Sequence, residues 1–452
     1  MNVERVRSYL TTNPTAYAGL RALDVSTQGR EQSVAEGDEI PFIFSVVFIP
    51  MIIAYTLLKR LIYRFKRGLA REKPDPDPLP DHLFVMTSSY EYRTYAFEEV
   101  GARLREKNTN VMFLCSPSAA NQMEDWQQNG FQTESFRGLL RFVSVSDLFV
   151  TLVRSIIAMH KLRLLTSGEF QESSLIYALN SIFLEYIKFS SLGPLVKDDP
   201  VVHTYSLMPY QVRATVSEHL YVYQHGTQRS PADDAWAAIS FFPATILVWG
   251  EAWVENFDPL LHPDTEICVT GSPWHDYLSE SIDSTPSDWD ILFIGGSQVT
   301  THSGKWEERY KQLVTTLVEA CENNGWSLAI KLHPVESSDW YRDHGWGSYV
   351  VEFDSIRDGL NNADIAVTHY SSAFVESIAL GTPIILNEEF SFGLSKLRPI
   401  AGATFVDSDE LEAEIRRVRE SGFDSDSVIE TSQLLNVGGS VDQILDAVVD
   451  DS

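Results

Sequence analysis

The sequence predicts an α/β protein of two Rossmann-like lobes facing a cleft, preceded by an N-terminal membrane-associated helix. Three observations carry this. From residue 83 onward, short apolar runs of strand length alternate with stretches of helical spacing. The pattern breaks at 279–287 (SESIDSTPS) and restarts at 290 with DILFI. Ahead of both lies an uncharged apolar run, 40–58 (IPFIFSVVFIPMIIAYTLL). We therefore divide the 452 residues into an N-terminal region (1–80), a first lobe (81–283) and a second lobe (284–452).

The N-terminal region holds the expected anchor helix, at about 40–67, since some 20 apolar residues match the hydrocarbon thickness of a bilayer. Lys59, Arg60, Arg64, Lys66, Arg67, Arg71 and Lys73 come directly after it, whereas the first 39 residues contain four basic residues. That asymmetry would keep the following domain on the cytoplasmic side. A cleaved signal peptide would lie nearer the N-terminus, with its positive charge first. Pro41 and Pro50 interrupt the run, so spanning, interfacial and buried helices all remain open. Residues 72–81 (EKPDPDPLPD) then read as a stiff, extended linker.

In the first lobe, 83–87 (LFVMT) is a buried-strand pattern, 95–105 is helical, and 110–115 (NVMFLC) is a second strand. Such a βαβ start predicts a parallel sheet with helices on both faces. Further strands are expected at 201–205, 220–223, 245–248 and 266–270, and the stretch 140–192 as mostly helical. The second lobe should contain strands 290–294, 327–331, 349–353, 365–368 and 383–386, with a helix over 306–323. No period of repeat length recurs.

Acidic residues outnumber basic ones 63 to 35, for a net charge of −28, which excludes a general attraction to nucleic-acid backbone. Lysine is scarce as well, and this acidic, lysine-poor balance resembles proteins of salt-adapted archaea; an acidic mesophilic protein is the alternative. Cys115, Cys268 and Cys321 form neither a disulfide framework nor a zinc pattern, which fits a reducing compartment.

Ligands of doubly wound sheets sit outside the carboxyl ends of the strands, which singles out four clusters. His225, with Gly226 and Thr227, comes after strand 220–223, where a sharp turn lets the imidazole reach a ligand. Lys331 and His333 close strand 327–331, and Pro334 stops the strand just past the histidine. Lys331 is then a candidate phosphate counter-ion and His333 a donor to a phosphate oxygen or a leaving group. After 365–368 the chain reads HYSSAFVESIALG. Ser371 and Ser372 open a helix whose free N–H groups and dipole suit a diphosphate, and Glu376, one turn on, suits ribose hydroxyls. The same residues also read as an ordinary N-cap and its acidic partner. Gly295, Gly296 and Ser297 let backbone approach a ligand after 290–294. The Asp-x-Asp triplets at 75/77, 288/290, 407/409 and 424/426 fall in linkers or surface turns, so no metal is assigned.

In their order, YQHGT, VWGEAW, VTGSPWHDYL, KLHP and HYSSAFVESIALGTPII resemble GT-B glycosyltransferases of surface-polysaccharide synthesis. Within these the sequence is similar to the CDP-glycerol glycerophosphotransferase and bacterial sialyl- and polysialyltransferase group, over 83–448. The resemblance implies His225 and His333 as the HG and HP histidines, Ser371 and Ser372 as holders of donor phosphate, and Glu376 as the acidic residue after them. The sialyltransferases' acid-rich base motif is not evident, and Glu91 takes its place by position alone.

The motifs and the resemblance together imply a metal-independent transferase at the cytoplasmic face of the membrane, moving a sugar from a nucleotide-activated donor to a glycan or lipid-linked acceptor. The donor would lie on the second lobe and the acceptor would enter from the first; no cofactor beyond the donor and no nucleic-acid partner are expected. A CDP-glycerol-type glycerophosphotransferase, a nucleotide-sugar 2-epimerase and a non-catalytic scaffold of a glycan-assembly complex share the fold. The turn YSSA, where epimerases carry glycines, lowers the second, and the two histidines argue against the third.

Overall fold

The computed structural model describes residues 80–86, 91–135, 145–165, 179, 183, 200–205, 219–224, 244–254, 264–281, 287–296, 305–333, 336–369, 371–387, 404–421 and 433–449. The expected membrane-associated helix lies outside these. Among the described residues no helix is long and apolar enough to cross a membrane.

Seven strands form the first sheet: β1 (His82–Met86), β2 (Val111–Cys115), β3 (Gln132–Ser135), β4 (Val201–Thr204), β5 (Leu220–Tyr223), β6 (Thr245–Val248) and β7 (Glu266–Val269). Their order is β3-β2-β1-β4-β5-β6-β7, and every pairing is parallel. β1, β2, β5 and β6 are buried along their whole length, so a continuous apolar run is what both faces of the sheet require. The second sheet has β8 (Trp289–Ile294), β9 (Leu328–Lys331), β10 (Ala363–Thr368), β11 (Ile384–Asn387) and β12 (Thr404–Val406), again parallel, in the order β12-β11-β10-β8-β9. Connectivity reverses between β1 and β4 in one sheet and between β8 and β10 in the other, and the crevices at those points are where such sheets bind ligands.

The helices are α1 (Glu91–Glu106), α2 (Met123–Gln128), α3 (Val145–Leu165), α4 (Pro273–Ser279), α5 (Lys305–Asn324), α6 (Ser338–Asp343), α7 (Ile356–Asn361), α8 (Ala373–Ala379), α9 (Leu411–Ser421) and α10 (Ser440–Val449). Alternation along each strand separates the core into faces. Phe84, Phe113 and Tyr221 meet Phe97, Val100 and Leu104 of α1 and Ile444, Leu445 and Val448 of α10. Ile291, Phe293 and Ile365 meet Tyr310, Leu313 and Leu317 of α5 and Ile415 of α9. The opposite faces join in one cluster, which includes Val85, Val222 and Ile246 from the first sheet and Leu292 and Ala366 from the second. Trp274 of α4 and Phe374 and Ile378 of α8 belong to it, and the two helices pack together between the lobes. At roughly 1.5–3 kcal/mol for each large apolar side chain buried, this shared cluster fixes where the two sheet ends stand.

Residues 433–437 strap the last helix onto the first lobe. Trp253 Nε1 donates to the Leu434 carbonyl (2.9 Å), and the Asn436 amide donates to the Trp249 carbonyl (2.7 Å). The Asp276 carboxylate receives the amides of Gly438 (2.7 Å) and Ser440 (2.8 Å), which satisfies the free N–H groups where α10 begins.

Three sequence expectations differ from the structure. Residues 349–353 do not form a strand: a short 3₁₀ turn ends at Tyr349, and a single bridge joins Val350 to Ile330 before the chain turns into α7. β3 and β12 were not expected, being a polar tetrapeptide (QTES) and a tripeptide (TFV) paired on one side only. Asp290, read both as part of a surface triplet and as the start of strand 290–294, is the second residue of β8, so the triplet reading is corrected. Its carboxylate accepts from the Ser327 amide (2.6 Å) and pairs with Arg419 (2.6 Å), at the amino end of the sheet.

Candidate functional site

The loops leaving β8, β9 and β10 are tied into one surface. The Gly295 amide donates to the Lys331 carbonyl (2.9 Å), and Thr368 Oγ1 donates to the Ile294 carbonyl (2.9 Å). Glu336, which the sequence did not single out, is the knot. Its carboxylate accepts from the His333 amide (2.7 Å), Tyr310 Oη (2.9 Å) and Tyr341 Oη (3.1 Å), and from the backbone of Gly296. Burial raises its pKa while these donors pull it down. A Cβ at Gly295 would lie 2.0 Å from Glu336 Oε2, so any side chain there would push the carboxylate off its donors. The signal that could have found Glu336 was its position three residues after His333, the reach of a turn.

Above this surface stand four charged side chains from four elements. Lys331 ends β9, and its stem runs beside Gly359 of α7. Its pKa is lowered by burial, against the pull of Glu376, Asp358 and Glu91. Glu91, the first residue of α1, is raised by burial and lowered by Arg357 and Lys331. A carboxylate of the first lobe therefore faces two cations of the second. Arg357 donates to Tyr277 Oη of the first lobe and lies over that ring, 4.9 Å from its centroid.

Glu376 projects from α8 toward α4 and accepts from Trp274 Nε1 (2.8 Å). Burial pushes its pKa up to about 7; Glu91 adds to the rise, while the Trp274 hydrogen bond and Lys331 oppose it. A carboxyl at that value exchanges its proton near neutrality, as acid–base chemistry requires. One of its two oxygens is thus already engaged by the indole, a partner that a ribose-binding role alone does not foresee.

His333 is half-buried at the mouth of the β9 loop, its pKa lowered by burial and then by Lys331. Behind it, buried His369 is lowered to about 3, by burial and then by His333, and its ring packs edge-on against Tyr310 (4.8 Å). Ser371 and Ser372 are half-buried. Ser371 Oγ accepts from the Ala373 amide (3.2 Å), as an ordinary N-cap does; Ser372 makes no side-chain cap bond.

Of the residues expected in the site, Glu91, Lys331 and Glu376 thus influence one another directly, with His333 next to Lys331 and Gly295 and Gly296 below. His225 and Ser297 lie outside the described residues. Gln224, just before His225, is buried and accepts from the Trp249 amide (3.0 Å). Trp274 stands within the motif VTGSPWHDYL, where the sequence gives it no role, and nothing local marks Arg357.

No family model and no curated protein matches the chain. It is similar to several solved structures. A wall teichoic acid polymerase, TagF, is 12% identical over 92% of this chain and 98% of that one, with a TM-score of 0.49. UGT89C1 of Arabidopsis thaliana complexed with UDP-L-rhamnose is 11% identical over 82% and 99%, with a TM-score of 0.49. The UDP-GlcNAc 2-epimerase from Methanocaldococcus jannaschii is 10% identical over 82% and 100%, with a TM-score of 0.46.

Proposed function

We propose that the chain is a GT-B-type glycosyltransferase that moves a sugar from a nucleotide-activated donor to a glycan or lipid-linked acceptor. The observation that carries this is the meeting, at the carboxyl ends of two parallel sheets, of paired cations with two carboxylates of raised pKa. Lys331 and Arg357 match a diphosphate leaving group, and the Gly295–Gly296 backbone lets it come close. His333 can donate to the departing phosphate oxygen, which strengthens as charge develops there. Glu91 approaches from the other lobe, where an acceptor hydroxyl would lie. In the step itself, the acceptor oxygen bonds to the anomeric carbon as the bond from that carbon to the phosphate oxygen breaks. The electron pair leaves with the diphosphate, and the hydroxyl proton passes to Glu91. His225 is assigned to positioning the acceptor from its place after β5. Attachment to the cytoplasmic face of the membrane is proposed from residues 40–58 and their basic flank.

Calorimetry of the purified chain against CDP-, UDP-, GDP- and CMP-linked donors tests this, with products analysed by mass spectrometry. One donor should bind, and Lys331→Met should weaken it by about 1.5–3 kcal/mol, the range for a lost charged hydrogen bond. His333→Ala should lower turnover more than affinity. A wild-type chain that binds no donor, epimerises a sugar without acceptor, or transfers glycerol phosphate instead defeats the assignment.

A further inference from the structure

With Glu336 ionised, three buried oxygens beneath the Gly295–Gly296 turn are one hydrogen short. Tyr310 of α5 and Tyr341 of α6 are fully buried, and their hydroxyls lie 2.5 Å apart. Each also reaches Glu336 Oε1, Tyr310 at 2.9 Å and Tyr341 at 3.1 Å. Three such contacts among three oxygens take three hydrogens, since two facing lone pairs repel. The phenols supply only two, and burial raises the pKa of both, so both keep them. The contact between the hydroxyls is the shortest and must hold one. A single phenolic hydrogen is then left for two contacts to Glu336. Its other oxygen has the complementary surroundings: Oε2 accepts from the His333 amide (2.7 Å), and the Gly296 backbone also donates to the carboxyl group.

The titratable groups around Glu336 are Tyr310 and Glu307 on α5, Tyr341 on α6, Lys331 and His333 at the end of β9, and His369 after β10. Glu307 is engaged by Trp340 Nε1 (3.1 Å), Arg342 of α6 turns outward to Asp339, and His369 packs on Tyr310. No lysine or arginine among the described residues pairs with Glu336, so an ionised carboxylate would be buried without a cation. We propose that Glu336 carries the third hydrogen, on Oε1, and that this neutral carboxyl group is the floor of the donor's phosphate site. The ring then closes. Oε1–H donates to one phenol, that phenol to the other, and the second back to Oε1, while Oε2, a carbonyl oxygen, accepts the amides. The role under the phosphate rests on the transferase reading, in which the diphosphate comes down on the Gly295–Gly296 turn. Glu336 Oε2 stands 2.0 Å from where a Gly295 Cβ would be, directly against that turn. A negative charge there would repel the phosphate, whereas a neutral acid still ties the two loops together. Glu336 is thus a positioning residue, and the site should lose donor affinity when alkali removes its proton.

Infrared difference spectra of the full chain against Glu336→Gln test the proton without any ligand. Glutamine copies the neutral form, its Nε2 hydrogens meeting the phenols and its oxygen the amides. The wild type should show the carbonyl stretch of a protonated carboxyl group at pH 7 and lose it as the pH rises. Tyr341→Phe removes one hydroxyl of the ring and keeps the acid, so it should shift that band, which assigns it even if the glutamine variant fails to fold. A carboxylate band at pH 7 in its place would overturn the proposal. Inorganic pyrophosphate is the probe for the role, measured by calorimetry. Between pH 7 and pH 9 the wild type should lose about tenfold more affinity than Glu336→Gln, as expected for one unit charge near the phosphate. The probe's own ionisation cancels in that comparison. Equal losses would overturn the role and leave the donor reading standing. No pyrophosphate bound by either protein at pH 7, with the band present, would overturn the role together with the donor reading.

Discussion

Glu376 should make the protein lose stability as the pH rises toward neutrality, and Glu376→Gln should abolish that loss. The unfolded carboxyl titrates near 4.5 and the folded one at about 7. Between those values the folded state holds the proton that the unfolded state has released. Stability therefore owes nothing to this group below about pH 4.5, declines as the pH climbs through 7, and stays lower above it. A shift of that size corresponds to about 3 kcal/mol. Glutamine keeps an oxygen for the Trp274 indole and cannot ionise, so the hydrogen bond persists while the titration disappears. Urea unfolding of both proteins at pH 5 and pH 8 measures this as a difference of differences, which cancels the many other carboxyls. The wild type should lose about 2–3 kcal/mol more than the variant over that interval. Equal losses would show that Glu376 ionises as it does in water, and its proposed coupling to Glu91 and Lys331 would fall. A donor diphosphate placed beside Glu376 would raise its pKa further, so binding near pH 7.5 should take up a proton, readable by calorimetry in two buffers of different ionisation enthalpy.

Gly295→Ala should destabilise the second lobe by about 1–3 kcal/mol and impair nucleotide binding, because the new methyl would push the Glu336 carboxylate away from the four donors that hold it; urea unfolding with donor calorimetry checks both. Gly250→Ala should release the C-terminal strap, since its Cβ would lie 2.3 Å from the Gln433 carbonyl oxygen and 2.5 Å from the Leu434 carbonyl carbon, backbone that cannot rotate aside. Faster hydrogen exchange at the Asn436 amide would report it, and unchanged protection there would refute it. With a net charge of −28, the melting temperature should rise in KCl between about 0.1 M and 2 M as self-repulsion is screened; a flat response would remove the salt-adaptation reading.

Whether an element is legible in the sequence depends on how much of it the fold buries. β1, β2, β5, β6 and β8 are buried enough that their runs had to be apolar, and those runs are visible without the fold. β3 and β12 pair on one side only, so nothing forces their composition, and QTES reads as loop. The site divides along the same line. Lys331 ends β9, His333 and the Gly295–Gly296 turn follow β9 and β8, and for parallel sheets the end of a strand is already an address. Trp274, Tyr277 and Arg357 come from helices whose angular placement depends on how the lobes pack, and Trp274 meets Glu376 across 102 positions of sequence. Helical spacing puts Glu376 in its correct place, one turn into α8, but the partner it suggests, ribose, is drawn from what such helices hold. The indole of the opposite lobe already occupies Oε1, so a nucleotide at Glu376 must either share the carboxylate through its other oxygen or displace Trp274. The second course would loosen a hydrogen bond that joins the lobes, and donor binding would then be coupled to the width of the cleft. Trp274→Phe separates the two: it should leave affinity unchanged if the carboxylate is shared and increase it if the indole must be displaced.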